Sequence, residues 1–368
     1  WEEEGISYFF EHTAEKDTLV LGDGEHAFDT VPHFSTVSVR DRPHLYEEGF
    51  HSFQAGHAIA AEATLLRDFK FKQPTLGLNA KTEADGFTKR RVYYFPGEYV
   101  DPNLGQRLAK IRLEEQQCQR VRHVGEGTVR AMLPGYTFTL RGHRRSDCNQ
   151  EYLVVAVHHE GSQPQVLAEE AAGVERAVYR NRIECIPRGV PFRPARRSQA
   201  PKIPGVQTAT VVGPPGEEIH CDEHGRVKVK FHWDLDEKRD DSSSCWIRVS
   251  QPWGGMGQGG VFIPRIGQEV VVQFLEGDPD RPLIIGRVYN GENAVPHALP
   301  AAKNISTIRS ASTPGGGGFN EIKFDDSAGS EQLFTHAQRD RKDVVLNDHC
   351  EDVTHNQTYA IGGNQTTT

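Results

Sequence analysis

Three neighbouring side chains, those of His220, Cys221 and His224, are of the types that bind zinc through imidazole nitrogen and thiolate sulfur. Structural zinc sites combine such ligands with a second pair at a characteristic distance along the chain, and no second pair follows here. Residues 222–225 instead have the composition of a hairpin turn that leads into a strand. The sequence therefore predicts no metal site in this segment.

An acidic stretch follows, made of Asp234, Asp236, Glu237, Asp240 and Asp241. Calcium loops place oxygen ligands at fixed intervals around a central glycine, which lets the chain turn sharply. This stretch has no glycine, and two basic residues interrupt it. We predict a solvated loop without a bound cation.

A glycine-rich run at 255–260 matches the G-x-G-x-x-G pattern of dinucleotide-binding proteins. That pattern binds phosphate only where a strand precedes the glycines and a helix follows, because the helix N-terminus holds the phosphate. The next residues, 261–264, read Val-Phe-Ile-Pro, which favours a strand. We therefore predict a loop between strands and no cofactor.

Carboxylate pairs for glycoside hydrolysis could be drawn from Glu217, Glu218, Asp325 and Asp326. Nothing in the sequence places two of them across a cleft. A G-x-S-x-G nucleophile motif is absent, and no Cys–His pair has a defined spacing. The sequence thus predicts no catalytic residues, and we expect a protein that is not an enzyme.

The same part of the chain, residues 220–290, reads as short strands separated by Gly, Pro, Asp and Ser. In 226–233, apolar residues alternate with Arg, Lys and His, as in a strand with one buried face. Four further strands are predicted at 246–249, 261–264, 268–275 and 282–289. Five short strands in about 70 residues indicate a small closed barrel of the OB type. Its predicted core contains Val227, Val229, Phe231 and Trp233.

OB barrels often bind single-stranded nucleic acid through basic and aromatic residues. Acidic residues outnumber basic ones across 201–297, and the whole chain has a net charge of -9. Both facts disfavour a polyanionic partner. A nucleic-acid-binding OB module is therefore an alternative that the composition does not support.

The chain has 368 residues, enough for two to three domains. A Pro- and Arg-rich stretch at 187–205 is the best linker candidate, because proline lacks the donor N–H of regular structure. We predict β-rich structure over 1–200 with a helix near 102–122, the OB barrel over 201–297, and a connector with a repetitive tail over 298–368. Asp101 and Pro102 are favourable residues for the start of the helix.

Two features of composition concern the cellular location of the protein. No apolar run approaches the ~20 residues of a membrane-spanning helix. The six cysteines are scattered, without a C-x-x-C pair, which indicates reduced thiols and folding in the cytoplasm.

The C-terminal tail carries an eight-residue repeat, in which Val345, Val353 and Ile361 are evenly spaced. A second set with the same spacing supplies turn-forming residues: Asp340, Asp348, Asn356 and Asn364. One short strand and one turn per eight residues cannot bury a core alone, and such units become stable when they are stacked. We predict that several chains share one interior, with Val345, Val353 and Ile361 inside it.

The order GRVKVKFHWD, SCWIRVSQPWGG, VFIPRIGQEVVVQFLEGDPDRP and IIGRVYN resembles the VgrG spike proteins of bacterial type VI secretion systems. That family is similar to the hub and spike of contractile phage tails. The resemblance also covers residues 4–12, which read EGISYFFEH like a segment inside the hub, and the tail, which is similar to the start of a triple-stranded β-helix.

The resemblance implies a mainly β protein with β-barrel-like hub domains, a helical insertion, an OB-fold barrel and the start of a triple-stranded β-helix in a homotrimer. It implies a structural spike that caps a tube of Hcp hexamers, contacts baseplate components and carries a PAAR-repeat tip protein. The spike would puncture the envelope of a target cell and deliver effector proteins. Assembly in the cytoplasm and secretion without a signal peptide are also implied. The alternatives are a phage-tail-like spike with cell-wall hydrolase activity and the nucleic-acid-binding module.

Overall fold

The structure is a computed structural model, and it describes residues 1–40, 47–84, 89–162 and 178–364. The chain divides into two compact units, residues 1–199 and residues 200–368. Both units are built mainly from β-strands.

In its described part, the first unit contains one α-helix and eleven strands. Helix α1 spans Pro102–Cys118. The strands are β1 (Ser7–His12), β2 (Asp17–Gly22), β3 (Thr36–Ser38), β4 (Phe50–His57), β5 (Ala63–Arg67), β6 (Asn79–Glu83), β7 (Arg91–Tyr94), β8 (Val121–Gly127), β9 (Thr137–Arg141), β10 (Glu151–Ser162) and β11 (Val178–Pro187).

Six of these strands form one sheet in the order β3-β9-β10-β11-β8-β4. The two outer strands meet where Val39, next to β3, bridges Phe50 in β4. The amide of Arg40 also donates to the Phe50 carbonyl over 2.9 Å. The sheet therefore curls into a barrel, and its interior is filled by large buried side chains, including Phe50, Phe138, Leu140, Tyr152 and Ile183.

A smaller sheet in the same unit has the order β6-β5-β7 and packs against α1. The Asp101 carboxylate caps the helix, accepting hydrogen bonds from the amides of Asn103 (2.9 Å) and Leu104 (3.1 Å). The helix begins where the sequence predicts but ends at Cys118 and not near 122. It ends early because Val121 already begins β8, whose residues pair with β4 and β11.

Residues 188–199, in the predicted linker, have no helix or strand, yet they are not free of the first unit. Arg193 donates through Nε to Glu114 Oε2 over 2.7 Å. Its Nη1 donates to the carbonyls of Gly5 and Asp23, at 3.1 and 2.7 Å. The prolines keep this segment out of regular structure, while the arginine fastens it to the unit.

The second unit contains ten strands in its described part. They are β12 (Val206–Val212), β13 (Lys228–Phe231), β14 (Arg248–Val249), β15 (Trp253–Gly254), β16 (Gly259–Gly260), β17 (Glu269–Phe274), β18 (Pro282–Val288), β19 (Ile305–Arg309), β20 (Glu321–Asp325) and β21 (Gln332–His336).

Five of these strands form a barrel in the order β13-β12-β17-β18-β14. The outer strands meet at an antiparallel bridge between Val227 and Ile247. The Val227 amide donates to the Ile247 carbonyl over 3.0 Å, and the Ile247 amide donates to the Val227 carbonyl over 2.8 Å. β14 and β18 run parallel, and the other paired strands run antiparallel. Four of these strands, β13, β14, β17 and β18, lie where the sequence predicts strands, whereas β12 was not predicted. The closed order of five short strands is that of the predicted OB fold.

Beyond the barrel, β19, β20 and β21 form a three-stranded antiparallel sheet. Residues 337–364, all of them described, form no helix or strand. Across the described ranges, none of the helices combines the length and the apolar composition that crossing a membrane requires.

Candidate functional site

The barrel core contains the first two of the four residues that the sequence assigns to it. Val227 and Val229 are fully buried, and Phe231 is half-buried beside Phe274, with ring centroids 6.0 Å apart. The assignment of Trp233 to the core is wrong, because its side chain is 61% exposed. The strand ends at Phe231 and the chain then turns, so Trp233 leaves the alternating pattern and stacks on the outside of Phe231 at 5.1 Å.

The acidic loop is fastened to the barrel by two lysines of β13. The Lys230 ammonium is buried and donates to Asp234 Oδ2 (2.7 Å) and to the carbonyl of Asp236 (2.5 Å). Lys228 donates to the carbonyl of Asp241. Lys230 thus lies on the face of the strand opposite to Val227 and Val229, and it is nevertheless buried. The loop neutralises basic charge on this side of the barrel, which further disfavours binding of a polyanion.

The His/Cys segment forms the predicted hairpin turn. The Asp222 carboxylate accepts hydrogen bonds from the amides of His224 (3.0 Å) and Arg226 (2.9 Å) and from Arg226 Nε (2.7 Å). Burial acts to raise the pKa of Asp222, but these bonds outweigh it and lower the pKa below its ordinary value. The ring of His220 packs on Trp246, with centroids 4.9 Å apart. Within the described ranges, no three His, Cys, Asp or Glu side chains are grouped so that they could hold a metal ion.

The glycine-rich run lies in a short hairpin, in which β15 pairs with β16. The Gly255 amide donates to the Gln258 carbonyl over 2.9 Å, and Gly257 adopts a φ of +71° that favours glycine. No helix follows, so these glycines do not offer a helix N-terminus to a phosphate. The predicted strand at 261–264 is also wrong: the Phe262 amide donates to the side chain of Gln251 and not to a neighbouring strand.

His123, in β8, is a buried titratable group that the sequence analysis did not single out. Its ring centroid lies 5.0 Å from that of Tyr152 and 5.6 Å from that of Phe53, and its Nδ1 atom has no hydrogen-bond partner. Burial lowers the pKa of His123, and the nearby His57 and Arg145 lower it further. A neutral imidazole is a suitable general base, but only 2% of this residue is exposed, so a substrate cannot reach it.

We expect the free energy of unfolding to fall as the pH drops below about 6.5, the ordinary pKa of histidine. In that range the unfolded chain binds a proton at His123, while the folded chain does not until the pH reaches the lowered pKa. The stability that is present above about 6.5 is therefore lost towards acid pH. The variant His123→Phe should lose this part of the pH dependence in urea unfolding, whereas His26→Phe, at an exposed position, should keep it. Equal pH profiles for wild type and His123→Phe would contradict the expectation.

The sheet of β19, β20 and β21 has two chemically different faces. The register places Ile308, Ile322, Phe324 and Leu333 on one face, where each is between 47% and 65% exposed. On the other face, buried Glu321 accepts hydrogen bonds from Thr307 Oγ1 (2.7 Å) and His297 Nε2 (2.6 Å). Burial acts to raise the pKa of Glu321, but these bonds outweigh it and lower the pKa.

The apolar residues of the tail have no interior in a single chain. Val345, Val353 and Ile361 are each between 44% and 51% exposed. Their assignment to the interior of a shared needle stays a prediction. The outward face of β19–β21 was missed at the sequence level, although the alternation in Glu-Ile-Lys-Phe-Asp at 321–325 signals a strand with one apolar face.

Three protein families match this chain in sequence order. Residues 1–165 match the phage tail baseplate hub (GPD), and residues 217–289 match the type VI secretion system/phage-baseplate injector OB domain. Residues 306–368 match the bacteriophage T4 gp5 C-terminal trimerisation domain. The second match covers four of the five barrel strands, all except β12, and the third covers most of the three-stranded sheet and the tail.

Individual relatives resemble nearly the whole chain. It is 40% identical to the type VI secretion system spike protein VgrG1b of Pseudomonas aeruginosa, over 98% of this chain and 49% of that protein. It is 38% identical to the actin cross-linking toxin VgrG1 of Vibrio cholerae, over 98% of this chain and 33% of that protein. The chain thus spans about half or less of the length of these relatives.

A solved structure has the same fold. The lidless form of a PdpA–VgrG complex superposes with a TM-score of 0.51 at 6% sequence identity, covering 90% of this chain and 63% of that chain. The order of the three matched families and the 40% identity over nearly all of the sequence lead to one assignment. The chain belongs to the VgrG family of type VI secretion spike proteins.

Proposed function

We propose that this chain forms part of a homotrimeric type VI secretion spike, in which the OB barrel leads into a needle built by the tails of three copies. The observation that carries the proposal is the tail itself. Its octad residues Val345, Val353 and Ile361 are apolar and exposed, and residues 337–364 form no regular structure in one chain. A segment with this repeat gains a buried interior only from other chains.

The trimer follows from the geometry of such a tail. Three chains around one axis make head-to-tail contacts that close on themselves, and the resulting prism has no free lateral strand edges. Such a prism resists fraying and axial compression, as a puncturing device requires. The match of residues 306–368 to a trimerisation domain supports three copies.

The partners in this proposal are those of a spike. The first unit would face the Hcp tube and baseplate components, the far end of the needle would carry a PAAR-repeat protein, and effector proteins would travel with the assembly. The spike would assemble in the cytoplasm and be secreted by the machine into the target cell. The solved structure with the same fold is a complex of VgrG with PdpA, and this supports a protein partner for the proposed spike.

The proposed role is mechanical and requires no catalysis by these residues. The buried His123 is out of reach of a substrate, and the candidate carboxylates Glu218 and Asp325 bond neighbouring groups of the same chain. One relative is named an actin cross-linking toxin, and this chain matches 33% of its length. We therefore infer a structural role for the region described here.

The mass of the protein in solution tests the proposal. Light scattering coupled to size-exclusion chromatography should give three times the 41.1 kDa mass of one chain. A monomer with an intact tail would overturn the trimeric spike. Cleavage of peptidoglycan by the purified chain would favour the hydrolase alternative, and tight, salt-sensitive binding of single-stranded DNA would favour the nucleic-acid alternative.

A further inference from the structure

The small sheet β6-β5-β7 of the first unit presents aromatic rings on the face that points away from α1. Along β7, Tyr94 packs towards the core beside the helix, and Tyr93 points to the opposite side. Tyr93, Phe95 just beyond the strand, and Phe69 in the loop at 68–78 are each more than half exposed. All three line a cleft of about 570 Å³. Aromatic rings grouped in an open cleft are typical of a binding surface.

Hydrogen bonds fix the walls of this cleft. The buried carboxylate of Asp68 accepts bonds from the amides of Phe69 and Glu98, both over 2.7 Å. The Gly97 amide donates to the Arg67 carbonyl over 2.9 Å. These bonds join the loop and the turn after β7 to the end of β5. The cleft is therefore formed before a ligand arrives, which lowers the entropic cost of binding.

Positive charges surround the cleft. Arg67 forms part of its wall, Arg91 lies on the outward face of β7, and Lys72 lies in the loop. Among the residues that the structure describes, none of these three has a carboxylate within ion-pair distance, whereas Lys81 on the same face pairs with Glu83. A ligand that brings carboxylates would complete these ion pairs. A second copy of this face would bring like charges, so it does not fit.

Strand β7 also has a free edge. Within the described part of the chain, β7 pairs with β5 alone. The Ala63 amide donates to the Arg90 carbonyl over 3.1 Å, and bonding direction alternates along a strand. The backbone groups of Arg91 and Tyr93 therefore point away from β5. An extended peptide can pair with such an edge, whereas a nucleic acid has no matching row of donors and acceptors.

We propose that this cleft binds an extended acidic peptide of a protein partner, which adds a strand beside β7. Arg91 and Tyr93 are two positions apart on one face, so the peptide carries an acidic residue two positions from a large apolar residue. The carboxylate pairs with Arg91, and the apolar side chain enters the cleft beside Tyr93. This goes beyond the proposed spike, because it does not depend on the number of copies.

The test begins with a selection, in which the probe is a library of random decapeptides displayed on phage. The library is selected on the full chain and depleted on the variant Tyr93→Ser/Phe95→Ser, whose circular dichroism should be unchanged because both rings are exposed. We expect enriched peptides to carry Asp or Glu two positions from a large apolar residue. Enrichment of peptides without acidic residues, or equal enrichment on the wild type and the variant, would overturn the proposal.

Fluorescence anisotropy then measures the affinity of one enriched peptide after synthesis. The variant Arg67→Glu/Arg91→Glu should raise its Kd by at least about tenfold, because both charges are reversed. The matched control Arg141→Glu, at an exposed position of β9, should leave the Kd within about twofold. Equal effects of these two variants would contradict pairing with Arg67 and Arg91.

Hydrogen exchange tests the added strand. The amides of Arg91 and Tyr93 should exchange more slowly in the complex, because the peptide backbone would accept hydrogen bonds from the free edge. Unchanged exchange at both amides would overturn the added strand. Binding of oligo(dT) that is lost in Tyr93→Ser/Phe95→Ser would assign the cleft to nucleic acid and overturn the peptide. Each of these failures would leave the mass of the assembly, and so the proposed spike, unaffected.

Discussion

Replacing Val353 by Asp is expected to convert the proposed trimer into monomers at micromolar concentration. Val353 is the middle apolar residue of the octads, and three copies would place three carboxylates in one interior. Each unpaired buried charge costs several kcal/mol, and close like charges add repulsion. The combined cost exceeds the binding free energy of about 8 kcal/mol that corresponds to micromolar affinity. Light scattering across a dilution series measures the effect.

The control for this substitution is the next residue, Thr354. Adjacent residues of a strand point to opposite faces, so Thr354→Asp should place its charge in solvent and leave the mass that of a trimer. If Val353→Asp also remained a trimer, the octad residues would not form the interior, and the proposed needle would be wrong. Restoration of trimers by Val353→Asp at acid pH, where the carboxylate is neutral, would support the electrostatic explanation.

The largest expected effect on the stability of the first unit comes from Phe138→Ala. Phe138 is fully buried in the six-stranded barrel, with its ring centroid 5.7 Å from those of Phe50 and Tyr152. Removing the ring leaves a cavity between side chains that are held by neighbouring strands, and such substitutions cost about 3–5 kcal/mol. Hydrogen exchange of amides in β9 and β10 should become faster in proportion to this loss.

Phe95→Ala provides the comparison, because the ring of Phe95 is 53% exposed in the same unit. Its removal should change the free energy of unfolding by less than about 1 kcal/mol. Equal losses for Phe138→Ala and Phe95→Ala would show that the barrel interior is not the stabilising core of this unit.

Four of the five barrel strands of the second unit could be predicted from local sequence because they are short and separated by turn-forming residues. Strand β12 was not predicted, and the strand expected at 261–264 does not form. Val227 and Val229 occupy the buried face that their alternation indicates. The pattern failed at Trp233, where a turn after Phe231 ends the strand, and at Lys230, whose long apolar stem is buried while its ammonium bonds the acidic loop. In both cases the turn after Phe231, and the loop that it begins, override the period of the strand.

Features that depend on contacts between segments far apart in the sequence were harder to predict. The helix was expected to continue to 122, but strand pairing of Val121 with His57 in β4 ends it at Cys118. The closure of each barrel by a single bridge, at Val39–Phe50 and at Val227–Ile247, has no local signature. The division of the chain at 200/201 and 297/298, and the interior position of the octad residues, stay predictions.

The lysine contacts of the OB barrel also provide a chemical reporter. Lys230 is buried beneath residues 234–241, whereas Lys238, within that loop, is exposed. An amine-reactive reagent should therefore modify Lys238 quickly and Lys230 only when the loop has lifted from the barrel. The ratio of label at these two positions, read by mass spectrometry, would report how often the loop opens in the purified protein, without any engineered probe.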